Sequence, residues 1–141
     1  MKIIFVIFLL FSLTASAQST LTKEEQALSK VVDEQLAATL KTLEQSVNIN
    51  SGTFNIQGVR EVGALYRKEL EALGFTVEWV YLPDSLKRAG HLVATRKGKK
   101  GKKLFLIGHL DTVFEPNHPK NPWTVLNDST ATGQGANDMK G

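Results

Sequence analysis

An apolar run leads directly into a His-x-Asp pair at residues 104–113, which read LFLIGHLDTV. The first four residues of this stretch are all apolar, which is typical of a strand buried on both faces of a sheet. In open α/β sheets, functional side chains collect at the carboxyl ends of strands. His109 and Asp111 stand two residues apart, so on a continuing strand they point to the same side. The stretch therefore predicts a central buried strand with an imidazole and a carboxylate at its end.

The chemistry of this pair has two interpretations. A histidine can bind a metal through one ring nitrogen while a neighbouring carboxylate orients the ring. A buried histidine paired with aspartate can equally be structural. The chain contains no cysteine, which excludes a disulfide scaffold, a thiolate metal site and a thiol nucleophile. A metal site would therefore use His, Asp and Glu, which suit zinc, cobalt or manganese better than copper.

A second motif occupies residues 133–141, which read GQGANDMKG. Its first two glycines let the backbone turn tightly and pass close to another group, and they deliver Asp138 at a fixed point. A dinucleotide-binding loop is excluded, because Asp138 stands where that loop needs glycine and no strand precedes it. Two roles for Asp138 stay open: the cap of a helix that begins near Met139, or a metal ligand.

Hydrophobic periodicity and turn residues predict the remaining elements. The predicted helices cover residues 22–46, opened by a Thr-x-x-Glu capping box, and 55–73, ended by Gly74. The predicted strands are 76–81, 91–96 and 104–107, with residues 97–102 as a hairpin turn between the last two, and a small hairpin of 123–126 with 130–132.

The first 17 residues have the form of a secretory signal peptide. Lys2 precedes an apolar run at residues 3–13, and Ala-Ser-Ala at 15–17 is a small-x-small cleavage site. The apolar run is too short to span a bilayer. The sequence thus predicts a mature domain from residue 18 to residue 141, secreted or periplasmic, with no membrane anchor after cleavage.

The positive charge of the chain is concentrated in one segment. Six of the 17 basic residues lie within residues 96–103. Nucleic-acid-binding proteins spread basic residues over a face and add aromatic side chains for stacking, so no nucleic-acid partner is expected. The segment is either a solvated hairpin turn or a contact surface for an anionic partner.

The two motifs in this order are far more specific than either alone. Together with the turn-rich segment 48–55, the two motifs make the chain resemble the zinc-dependent aminoacylase and glutamate carboxypeptidase family of dinuclear metallopeptidases. The residues of the two motifs are most similar to those of its glutamate carboxypeptidase-like branch. The resemblance implies an α/β fold, in which helices pack on a mixed sheet. Residues 18–141 would be the N-terminal part of a zinc-exopeptidase-like catalytic domain.

The resemblance also implies roles for individual residues. His109 would ligate one of two zinc ions, which cobalt or manganese could replace. Asp138 would bridge the two ions, often with a cis peptide bond to Met139. Asp111 would be the catalytic-site aspartate that supports His109. The implied reaction is hydrolysis of a C-terminal peptide bond or an N-acyl amide bond in a small peptide or N-acyl amino acid.

The sequence departs from the family pattern after Asp138. The family continues with a glutamate pair, a further acidic ligand and a late histidine. None of these residues follows Asp138 in this sequence. Of the other two histidines, His118 is expected to be solvated and His91 to be structural. The chain is therefore predicted to be truncated after the bridging-aspartate motif and inactive alone. The alternative is a secreted, non-catalytic module that contacts an anionic partner through its basic hairpin.

Overall fold

The computed structural model describes residues 21–140, so the predicted signal peptide at 1–17 lies outside the described residues. Helices and antiparallel strand pairs together give this part of the chain a mixed α/β character. The elements, in chain order, are α1 (Lys23–Val47), α2 (Ile56–Ala72), β1 (Thr76–Val80), a short 3₁₀ helix (Asp84–Leu86), β2 (His91–Thr95), β3 (Thr124–Asn127) and β4 (Thr130–Thr132). None of the described helices combines the length and the apolar character needed to cross a membrane.

The described residues divide into two compact units, residues 21–34 and residues 35–140. In the first unit, α1 begins with the predicted capping box. The Glu25 backbone N–H donates to Thr22 Oγ1 at 3.2 Å, and the Thr22 N–H donates to Glu25 Oε2 at 2.7 Å. The Thr22 backbone N–H, and secondarily its hydroxyl, lower the pKa of the Glu25 carboxyl. These reciprocal bonds satisfy donors that a helix start otherwise leaves unpaired.

Most of the apolar residues that repeat along α1 are exposed. Leu28, Val32, Leu36 and Leu40 are 44–66% exposed, whereas Leu43 is half-buried and Val47, at the end of the helix, is buried. Only Ser46 and Val47 of this helix are buried. Periodicity therefore predicts the helix correctly, to within one residue at each end.

Helix α2 belongs to the second unit, is capped at its start by Asn55 and ends at the predicted Gly74. The Asn55 side chain accepts from the Gly58 N–H, which caps the first turn. At the other end Gly74 has φ +81°, and the Phe75 N–H donates to the Leu70 carbonyl at 3.0 Å. That bond and the positive φ define a Schellman motif, in which glycine avoids the strain of the left-handed region.

The β-structure consists of two antiparallel pairs and one isolated parallel bridge among the described residues. β1 pairs with β2 in the register Thr76↔Thr95 to Val80↔His91. β3 pairs with β4 and carries a bulge, which confirms the predicted small hairpin. The parallel bridge joins Gly52 to Thr112. Helix α2 packs closely on β1, since a Cβ on Gly63 would lie 2.3 Å from the Trp79 ring.

The predicted central strand at residues 104–107 is wrong within the described part of the chain. Each of its four residues is 81–84% exposed, and none belongs to a strand. The hairpin predicted across residues 97–102 is also wrong, because β2 pairs with β1 alone within the described residues and the next strand along the chain is β3. A strand that is apolar on both faces needs a pairing edge and cover on both sides. Residues 21–140 provide no strand that pairs with 104–107.

Candidate metal centre

Backbone pairing with the loop between α1 and α2 fixes the segment that follows His109. The Thr112 N–H donates to the Ser51 carbonyl at 2.8 Å, and the Thr53 N–H donates to the Thr112 carbonyl at 3.0 Å. The approach is close at Gly52, where a Cβ would lie 2.6 Å from a Glu115 carboxylate oxygen. Hydrogen bonds from this loop therefore hold the backbone at the end of the first motif in place.

The His109 ring lies between the two aspartates that the sequence selects. Its Nδ1 is 2.9 Å from the Asp111 backbone carbonyl and 3.4 Å from Asp111 Oδ1. A carbonyl oxygen only accepts, so this hydrogen bond requires the proton on Nδ1. In the neutral ring, Nε2 then carries a lone pair, and it lies 3.7 Å from Asp138 Oδ1. The side chains of His109 and Asp111 are 53% and 35% exposed, so solvent and ligands reach the pair.

The separation of His109 Nε2 from Asp138 fits a shared metal ion. Zinc ligands lie about 2.0–2.2 Å from the metal, so two of them in a tetrahedron are roughly 3.3 Å apart. The observed 3.7 Å is close to that spacing. Residues 21–140 contain no group of three or more His, Asp or Glu side chains placed to hold one ion. The geometry thus offers two candidate ligands, His109 and Asp138, fewer than the three or four that tight zinc sites use.

Two glycines bring Asp138 to this position, as the sequence predicts. A Cβ on Gly133 would lie 2.4 Å from a Val47 methyl, and a Cβ on Gly135 would lie 2.9 Å from the Thr112 methyl. Gly135 also has φ +75°. Its carbonyl accepts from the Asp138 N–H at 3.2 Å, which folds the loop into a turn. The loop thus packs against Thr112, which lies next to Asp111.

Residues 134–139 form turns, and because the described residues end at Lys140, a helix beginning near Met139 stays a prediction. One expectation about this loop is wrong. The Asp138–Met139 peptide bond is trans, because the described residues contain no cis peptide bond.

The other two histidines lie in different surroundings. His91 is exposed at the start of β2. His118 lies in the proline-rich loop and packs edge-on against the Phe114 ring, with 6.3 Å between ring centroids. Neither forms an ion pair with a carboxylate within residues 21–140.

Lys140 is a structural residue that sequence reasoning missed. It is only 5% exposed, and its Nζ donates to the Ser46 carbonyl at 2.6 Å and the Ile49 carbonyl at 2.8 Å. Helix α1 has no basic residue in its last turn. Lys140 thus places a positive charge where the helix dipole is negative. Burial lowers the pKa of Lys140 to about 8. Its only signal in the sequence is its position two residues after Asp138.

Replacing Lys140 with methionine is expected to destabilise the protein. Methionine retains the length of the side chain but leaves the Ile49 carbonyl without this donor and removes one of the two donors of the Ser46 carbonyl, which also accepts from the Ile49 N–H. An unsatisfied buried polar group costs about 1–3 kcal/mol. Urea unfolding of the protein produced from its complete reading frame measures the loss. Lys99→Met, at an exposed lysine, is the matched control, and equal stability of the two variants would contradict this role for Lys140.

Comparison with known proteins agrees with the two motifs. No family model matches the chain. It is 37% identical over 134 residues to carboxypeptidase G2 of Pseudomonas sp. (strain RS-16), covering 91% of this chain and 30% of that protein. It is 34% identical over 114 residues to succinyl-diaminopimelate desuccinylase of Polynucleobacter necessarius subsp. necessarius (strain STIR1), covering 74% of this chain and 28% of that protein.

Both relatives are hydrolases. The chain belongs to the aminoacylase and glutamate carboxypeptidase family, which confirms the resemblance seen in the sequence. It spans less than a third of the length of these two relatives.

Proposed function

We propose that the chain is the N-terminal part of a zinc-dependent, glutamate carboxypeptidase-like hydrolase, exported by its signal peptide to the periplasm or the medium. Its substrates are small peptides or N-acyl amino acids, cleaved at a C-terminal peptide bond or an amide bond. The observation that carries the proposal is the His109 ring, with its Nδ1 bonded to the Asp111 carbonyl and its Nε2 facing Asp138.

Each residue of the site has a distinct role in this proposal. His109 Nε2 and the Asp138 carboxylate hold metal, and Asp111 fixes the ring and its tautomer, as partners of metal-bound histidines do. Two zinc ions, or cobalt or manganese in their place, would polarise the scissile carbonyl and activate a water when bound. Binding needs a neutral His109 and an ionised Asp138, so metal affinity falls in acid.

The described residues supply only part of a catalytic site. Tight zinc sites use three or four protein ligands, whereas His109 and Asp138 are two. A positioned general base contributes about 10²–10⁴-fold to a hydrolysis rate. Asp111 lies beside His109, but its proposed role is to orient that ring, and residues 21–140 contain no group of three or more His, Asp or Glu side chains placed to hold an ion. We therefore propose that the 141-residue chain alone binds zinc weakly and is inactive.

Chelation and metal restoration test the proposed function. The protein from the complete reading frame is assayed on N-acyl amino acids and short peptides, before and after chelation and after addition of zinc, cobalt or manganese. Hydrolysis should disappear on chelation, return with metal and be absent in His109→Ala. His118→Ala, at a histidine that contacts neither aspartate of the site, is the control. Turnover that survives both chelation and His109→Ala would contradict the proposal.

The alternative function, a module that contacts an anionic partner, depends on residues 96–103. Their lysines are exposed, and none forms an ion pair within the part of the chain that the structure describes. If the segment is only a solvated connection, a Lys99→Ser, Lys100→Ser double variant should keep its stability within about 0.5 kcal/mol and retain full hydrolysis. Thermal unfolding and the same assay measure both. A large loss of activity would favour the anionic-partner function.

A further inference from the structure

We propose that Thr53 is a positioning residue for the Asp111–His109 pair, an inference that rests on the proposed function. Thr53 lies in the loop between α1 and α2, which the sequence indicates only as a turn. Its hydroxyl donates to Asp111 Oδ2 at 2.6 Å. Hydrogen bonds from a hydroxyl to an ionised carboxylate have this length and are about twice as strong as neutral ones.

Thr53 donates its single hydroxyl proton to Asp111 rather than to the Thr112 carbonyl. Thr53 Oγ1 is also 3.3 Å from the Thr112 carbonyl oxygen, but a hydroxyl has one proton to donate. The Asp111 oxygen is nearer and is charged when ionised. The Thr112 carbonyl already accepts from the Thr53 N–H at 3.0 Å. That backbone bond fixes Thr53, so its hydroxyl is an anchored donor.

The Thr53 hydroxyl determines which oxygen atoms of Asp111 face the His109 ring. With Oδ2 held by Thr53, the other carboxylate oxygen lies 3.4 Å from His109 Nδ1, and the Asp111 backbone carbonyl lies 2.9 Å from it. Both acceptors favour the tautomer that carries its proton on Nδ1. The competing tautomer has its proton on Nε2, and a protonated Nε2 cannot accept a metal. Thr53 thereby keeps the atom that faces Asp138 free for metal.

Two substitutions at Thr53 separate the hydroxyl from the shape of the side chain. Thr53→Val keeps the branched shape and the backbone N–H but removes the hydroxyl, while Thr53→Ser keeps the hydroxyl. Both are made in the protein from its complete reading frame. Nitrogen-15 NMR of the metal-free protein measures the tautomer of His109, and isothermal titration measures zinc affinity. Thr53→Ala repeats the test without the hydroxyl if valine does not fold.

Thr53→Val should raise the population of the Nε2–H tautomer and weaken zinc binding about tenfold, the lower end of the range for partners of a metal ligand. Thr53→Ser should retain the wild-type tautomer and affinity. The proposal is overturned if Thr53→Val retains both, or if serine and valine lose them equally. If the wild-type protein binds no zinc, the proposed function fails, while the tautomer in Thr53→Val still decides the role of Thr53.

Discussion

Replacing Asp138 with asparagine is expected to lower kcat/KM for hydrolysis by about 10³-fold or more. Asparagine keeps the shape of the side chain, which the Gly133 and Gly135 turns hold near His109 Nε2. It removes the negative charge and the second carboxylate oxygen that a bridge between two cations needs. Metal ions contribute several kcal/mol of transition-state stabilisation, and each 1.36 kcal/mol is tenfold in rate. The measurement is steady-state hydrolysis alongside the metal content of the purified variant.

Asp128→Asn is the matched control for this change. Asp128 is an exposed acidic residue in the turn between β3 and β4. Its replacement removes the same charge from the same chain without touching the site, so activity and metal content should be unchanged. An Asp138→Asn enzyme that retained wild-type metal content and rate would show that Asp138 is not a ligand.

Replacing Gly135 with alanine is expected to destabilise the protein and to displace Asp138. Gly135 has φ +75°, a conformation that costs a residue with a Cβ about 1–2 kcal/mol. The new methyl would also lie 2.9 Å from the Thr112 methyl, and such crowding typically costs about 1–3 kcal/mol. The Gly135 carbonyl accepts from the Asp138 N–H, so relief of the clash moves Asp138, the proposed metal ligand. Denaturant unfolding and zinc titration measure the two effects.

Gly98→Ala is the matched control for Gly135→Ala, because the added methyl would lie in open space at Gly98. At Gly98 the nearest atom to a Cβ would be 3.7 Å away, and φ is not positive. Stability should stay within about 0.5 kcal/mol of the wild type. If Gly135→Ala is as stable as Gly98→Ala and binds zinc as well, the packing of the second motif on Thr112 does not position the site.

The elements that the sequence predicts correctly have local causes. Thr22 and Glu25 bond to each other across one helical turn, and Gly74 ends α2 through its own positive φ. Residues 104–107 show the limit of such signals. An all-apolar run indicates which side chains a strand would bury, but whether the strand forms depends on pairing with segments that are remote in the sequence.

The candidate site likewise combines features that have a local sequence signal with features that depend on remote residues. The glycines of the second motif predict a close approach that delivers Asp138, and the structure has that approach at Thr112. Thr53 and Lys140 act through contacts with residues 58 and more than 90 positions away. A threonine in a turn and a lysine at the end of a motif carry no periodic or spacing signal that would indicate those contacts.

The location of a bound zinc ion decides whether His109 and Asp138 hold metal. Crystals of the protein from its complete reading frame, grown with zinc, are measured above and below the zinc absorption edge. We expect an anomalous peak about 2.0–2.2 Å from both His109 Nε2 and an Asp138 carboxylate oxygen, with His109 Nδ1 still bonded to the Asp111 carbonyl. A fully occupied zinc ion bound away from His109 and Asp138, with these two side chains unligated, would contradict the account.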